Sequence, residues 1–144
     1  MQKRPTDELM GDLLKSNNID EYMKDNAEYM IDGTLAKYLD ELLEEKGLTK
    51  AEIIRASQLN EIYAYQIFAG SRMPSRDKLI CLCFGMKLTV EETQQLLKAA
   101  GFAPLYPKNR RDSIIIYALN NGDEIMSVDI TLDKAGLKLL GSSK

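Results

Sequence analysis

Apolar residues recur at intervals of three and four along most of the chain, the spacing of helices that bury one face. The segment "TDELMGDLLKSNN" opens on Thr6 as a cap with acids behind it and places Leu9, Met10, Leu13 and Leu14 at that spacing. "NIDEYMKDNAEYMIDG" follows, with Asn18 as a cap, apolar Ile19, Tyr22, Met23, Met30 and Ile31, and a break at Gly33. The clearest helix is "TLAKYLDELLEEKG": Thr34 caps it, Leu35, Leu39, Leu42 and Leu43 form one stripe, and Gly47 supplies a left-handed stop. "TKAEIIRAS" pairs Thr49 with Glu52 as a capping box and directs Ile53, Ile54 and Ala56 to a core. Asn60 caps the next helix, which Gly70 closes. Ser75 then caps "RDKLICLCFGM", and Thr89 caps a helix carrying Val90, Leu96, Leu97 and Ala100.

The run "SIIIY" departs from this pattern, because its β-branched residues suit a strand. Ala118, Leu119 and the stop at Gly122 favour a helix instead, and a last helix runs to about Ala135. The expected fold is therefore all-α, with eight or nine short helices and no internal repeat. No apolar run reaches the roughly 20 residues that span a bilayer, and the basic start "MQKR" has no apolar segment behind it, so neither a membrane anchor nor a secretory signal is expected.

The net charge of −3 is unevenly distributed. Residues 1–47 hold 12 acidic and 6 basic side chains, whereas residues 48–80 hold three acidic and five basic ones. The first 33 residues thus read as an acidic helical arm, packed on the rest of the chain or on a second copy. The mildly basic stretch coincides with two short helices joined by a tight turn.

Chemistry is sparse. The absence of histidine removes Ser-His-Asp and Cys-His catalysis. Cys81 and Cys83, the only cysteines, point in different directions on a helix and read as buried free thiols in a reducing cytoplasm. No phosphate loop or metal-ligand set is present, so no enzyme activity, metal or cofactor is expected.

A helix of residues 49–56, a short turn, and a helix of residues 60–69 make the unit that sets its second helix in the major groove of DNA. The span "LTKAEIIRASQLNEIYAYQIFAGSRMPSRDKLICLCFGMKLTVEE", within Leu35 to Leu97, resembles the lambda-repressor-like (XRE-type) helix-turn-helix family of bacterial and phage regulators. The resemblance rests on Leu-Thr opening the first helix, the acid Glu52, an aliphatic in the turn, Gly70, Pro74 and "GMKLTVEE". The following "LYP-x3-RD" element, ending at Arg111-Asp112, is similar to the tail of other regulators of this type. This sequence departs from the family at Lys50, where glutamine is common, at Ile54 in place of alanine, at Gln58 in place of the turn glycine, and at Phe68 in place of an acid.

The resemblance implies a five-helix core over residues 34–101, with a C-terminal helical extension over residues 102–144. It puts Glu61, Ile62, Tyr65 and Gln66 at base edges: Gln66 to adenine, Glu61 to cytosine N4, Ile62 to a thymine methyl. It puts Lys50, Asn60, Tyr63, Arg72, Arg76 and Lys78 on phosphates. Phe68 reads as core, Arg55 as a solvated charge, and Arg110, Arg111 and Asp112 as structural. The expected partners are double-stranded DNA and a second copy of the chain, with the extensions before Leu35 and after Phe102 as dimer surfaces. Glu61, the tyrosines and the net acidity favour a second reading, a protein-interaction module built on the same helices, in which Ile62, Tyr63 and Tyr65 bind a protein partner.

Overall fold

The computed structural model describes residues 6–25 and 35–141, which belong to two compact units, residues 1–32 and 33–144. The expected break at Gly33, the Thr34 cap and the apolar positions Met30 and Ile31 lie outside the described residues. Among the described residues there are nine helices and no strand. None of these helices is long and apolar enough to cross a membrane.

The first unit contains α1 (Thr6–Lys15) and α2 (Ile19–Asp25). Asn18 caps α2 as its spacing predicts, its Oδ1 accepting from the N–H groups of Asp20 at 2.9 Å and Glu21 at 3.2 Å. Tyr22 is buried and donates its hydroxyl to the Leu9 carbonyl at 3.3 Å. Most of the apolar stripe stays in solvent. Met10, Leu13, Leu14, Ile19 and Met23 are all exposed, Leu14 by 77%.

The second unit contains α3 (Leu35–Lys46), α4 (Lys50–Ser57), α5 (Glu61–Ala69), α6 (Arg76–Gly85), α7 (Val90–Ala99), α8 (Arg110–Asn121) and α9 (Ile125–Lys134). Its axis is α6, in which every residue from Leu79 to Gly85 is buried. A helix apolar on all sides must be surrounded, and α4 and α7 pack directly on α6 while α8 packs on α7. The core is continuous from Leu39 and Ile53 through Leu79, Ile80 and Leu96 to Ile115, Val128, Leu132 and Leu140. Residues 102–141 therefore share one core with residues 35–101. "SIIIY" lies within α8, where Ile115 is fully buried and Ile114 and Ile116 pack partly against the core. Burial of one helical stripe outweighs the β-branched preference here.

Two local expectations need correction. Thr49 caps α4 by accepting the Glu52 N–H at 3.2 Å, but its hydroxyl donates to Glu52 Oε1 at 2.9 Å, so Glu52 does not return to the Thr49 backbone. The complete capping box is at Thr89 and Glu92, where N–H groups are exchanged in both directions. Ala56 is exposed, and Ser57 is the buried residue of that turn, bonding its hydroxyl back to the Ile54 carbonyl at 2.8 Å. A two-turn helix presents a narrow buried face, and Ile53, Ile54 and Ser57 occupy it.

Glu92 also ties α7 to α3, accepting from Lys46 Nζ at 2.8 Å. Partial burial pushes its carboxyl up, but the Lys46 ammonium and the Thr89 N–H outweigh that and hold it below the usual glutamate value. Its contribution is therefore present above that usual value and lost as pH falls through the lowered one.

Helices α4 and α6 pack closely at Gly85. A β-carbon on Gly85 would stand 2.6 Å from the Ile53 carbonyl oxygen and 3.2 Å from Ser57 Cβ, so only glycine lets the helices approach this closely. Two residues on, exposed Lys87 ends α6 in the left-handed region at φ 55°, where glycine is the easier occupant. Substitutions here should have opposite signs. Gly85→Ala should destabilise by about 1–3 kcal/mol through overpacking against backbone. Lys87→Gly should relieve about 1–2 kcal/mol of left-handed strain against about 0.4–1 kcal/mol of unfolded-chain entropy, a net gain of about 0.5–1 kcal/mol. Urea unfolding of the two variants checks both signs.

Candidate functional site

A short helix, a three-residue turn and a second short helix span Lys50 to Ala69. The turn requires a left-handed residue, and Gln58 adopts that conformation at φ 60° and ψ 22°. Leu59 half-buries itself against the core. Asn60 caps α5, its Oδ1 accepting the Tyr63 N–H at 3.0 Å. Gly70 closes α5 at φ 82°. Ala64, Ile67 and Phe68 face inward, each at most 2% exposed.

Positions one, two, five and six of a helix share a face, and the inward set leaves that face outward. Glu61, Ile62 and Tyr65 are exposed, Ile62 by 71% and Tyr65 by 41%, and Gln66 is half-buried beside them. The four residues expected at base edges thus stand together on the outer side of α5. The face holds one carboxylate, one amide, one phenol and one aliphatic chain, and no cation.

The cations stand around it. Lys78 Nζ is 4.2 Å and Arg72 Cζ 5.5 Å from the centroid of the Tyr63 ring. Lys50 Nζ is 5.8 Å from the Phe68 ring, near the other end of α5. These three belong to α4, to the segment after α5 and to α6, and the fold gathers them at one helix.

Arg76, also expected on phosphate, is not gathered at α5 but pairs elsewhere. Its NH1 and NH2 groups donate to the two carboxylate oxygens of Asp112 at 3.3 and 3.1 Å. Its Nε donates to the Ala103 carbonyl at 3.0 Å, and NH2 also donates to that of Pro104 at 3.2 Å. Four of its five N–H groups are thus taken by one carboxylate and two backbone carbonyls. The neighbouring Asp77 makes the reciprocal pair, accepting from Arg111 NH1 at 2.8 Å and NH2 at 3.1 Å. The Arg-Asp pair that opens α6 is therefore crossed with the Arg-Asp pair in the first turn of α8. Asp112 is buried and also accepts the Tyr106 N–H at 3.0 Å, and Arg111 donates to the Lys138 carbonyl at 2.9 Å. Asn109 caps α8, so Asp112 serves as the receiver of Arg76. Two Arg-Asp dipeptides at two helix starts are the signal that sequence reading passed over.

The cysteines are separate from this site. Burial pushes the Cys81 thiol up to about 12, with Asp77 and Asp129 adding to the shift. Burial also pushes Cys83 up to about 12. Cys81 donates weakly to the Leu140 carbonyl at 3.6 Å, beneath a terminal segment that Asp129 holds through the Leu140 and Gly141 N–H groups. Thiolate is the reactive form, so neither sulfur is a nucleophile near neutral pH.

Compared with family models, with curated proteins and with solved structures, the chain finds no match in any of the three. The reading of the site rests on its own geometry.

Asp112→Ala would leave Arg76 without its carboxylate and should cost about 2–3 kcal/mol in urea unfolding. If Arg76 were a free surface cation, the loss would be below about 0.5 kcal/mol. A thiol reagent at pH 8 should modify neither cysteine in the folded protein and both in urea.

Proposed function

We propose that this protein is a sequence-specific DNA-binding transcriptional regulator of the lambda-repressor-like (XRE) type, acting in the cytoplasm, with α3–α7 as its five-helix core and α5 in the major groove. The observation that carries this reading is the surface around α5. Glu61, Ile62, Tyr65 and Gln66 share its outer face, and Lys50, Arg72 and Lys78 flank it. Phosphate contacts hold a protein in register, while groove contacts carry sequence. A recognition helix without a basic residue is compatible with that division when its frame supplies the charge.

In this proposal Gln66 pairs with adenine, Ile62 meets a thymine methyl and Glu61 accepts from cytosine N4. Lys50, Arg72 and Lys78 neutralise phosphates, and Asn60 serves the helix as its cap. A single module makes few contacts, so two copies on half-sites about one helical turn apart are proposed. Exposed Tyr117, Met126 and Ile130 on α8 and α9, and the exposed stripe of α1 and α2, are the surfaces available for pairing.

A protein-binding role for the same face is the second reading. It is favoured by exposed Ile62 and Tyr65 on the outer face of α5. A pull-down of a stable partner, blocked by Tyr65→Ala, would establish it.

Selection of duplexes from a random pool at low salt separates the two. Binding of a recurrent motif supports the regulator, and no binding to any duplex overturns it. Arg72→Ala should weaken all duplexes alike and reduce the slope of log affinity against log salt by about 1. Gln66→Ala should instead change the preferred base at one position, where a bidentate contact is worth about 1–3 kcal/mol. An unchanged motif would show that Gln66 reads no base.

A further inference from the structure

Six cations of the second unit differ in what they meet. Lys46, Arg76, Arg111 and Lys138 each meet a carboxylate within ion-pair distance. Arg72 and Lys78 meet none among the described residues and share the ring of Tyr63 instead. Tyr63 is half-buried, packed against the core and held at the third position of α5 by the Asn60 cap. Its ring is therefore a fixed object, while Arg72 is an exposed side chain outside any helix. Two like charges from different elements would otherwise separate. The π system of one aromatic ring, negative on its faces, attracts both and leaves their positive charge uncompensated.

We infer that Tyr63 is a positioning residue whose ring holds the Arg72 guanidinium and the Lys78 ammonium together as a single phosphate seat beside α5. The inference rests on the DNA-binding reading, and it gives Tyr63, expected at a phosphate position, an indirect role there through its ring. A phosphate between the two cations would relieve their mutual repulsion, so the seat fills with anion more favourably than two independent surface charges would. Its location at the first turn of α5 ties the register of the helix in the groove to the ring.

The test uses the full chain and a labelled random-sequence duplex pool, titrated between about 50 and 200 mM salt. Tyr63→Phe keeps the ring and should retain wild-type affinity and salt slope. Tyr63→Leu keeps apolar bulk without the ring; it should lose about 5–10-fold in affinity, with a salt slope smaller by about 1. In an Arg72→Ala/Lys78→Ala background, Tyr63→Leu should have no further effect, since the three act as one unit. If Tyr63→Phe loses as much as Tyr63→Leu, the hydroxyl is the contact and the inference fails. Wild-type affinity in Tyr63→Leu also overturns it. Failure of the wild type to bind any duplex removes the DNA-binding reading beneath it. A second measurement does not require the leucine variant to fold: in the free wild-type protein, the terminal methylene protons of Lys78 and Arg72 should show ring-current shifts. Random-coil shifts for both would overturn the inference.

Discussion

Four charges, Arg76 and Asp77 on α6 and Arg111 and Asp112 on α8, are crossed into two bidentate pairs at the first turns of their helices. Each arginine is further occupied by backbone carbonyls, and Asp112 by the Tyr106 N–H. A single surface ion pair stabilises little, but side chains this enclosed hold one geometry, because any shift would leave a half-buried charge unmatched. The rest of the second unit depends on that geometry. The pairs tie the first turn of α6, which Ser75 caps, to that of α8, and α6 is the element around which the core is built. Its far end, at Gly85, meets α4 at backbone contact, and α4 leads through the Gln58 turn into α5. The outer face of α5 is thus referred, through two close contacts, to ion pairs at the opposite end of α6.

The same constraint sorts the basic residues. Arg76 and Lys78 lie on one helix turn, yet Arg76 is directed to α8 and Lys78 to Tyr63. One is enclosed with carboxylate and carbonyls, and the other is held by a ring that leaves its charge uncancelled. This sorting underlies the proposal for α5. A net acidic protein keeps a small surface whose cations are not neutralised from within, next to an exposed face with varied hydrogen-bonding and apolar groups. The long acidic stretch at the start of the chain makes the overall charge a poor guide to that surface.

Much of the helical layout was legible in the sequence. Leu35, Leu39 and Leu42 announce α3, and Gly47, Gly70 and Gly122 mark stops that the structure adopts at positive φ. The family resemblance put Glu61, Ile62, Tyr65 and Gln66 on one side of α5, and the structure leaves that side outward because Ala64, Ile67 and Phe68 are buried and helical period fixes one face once the other is taken. Arg76 was less legible. Its neighbours in sequence make it one of a basic group, and its carboxylate partner lies 36 residues away. Ala56 and Ser57 exchanged roles for a related reason: two turns of helix hold too few apolar positions to define a buried face alone.

By itself, then, the sequence determined where helices begin and end and which side of each is apolar. Caps, glycine stops and a 3.6-residue period act within a few bonds and need no knowledge of distant chain. The tertiary structure alone decided which cations meet a carboxylate and which meet only an aromatic ring. An ion pair or a cation on a ring depends on distance in space, and these partners, Arg76 with Asp112 and Lys78 with Tyr63, come from separate helices.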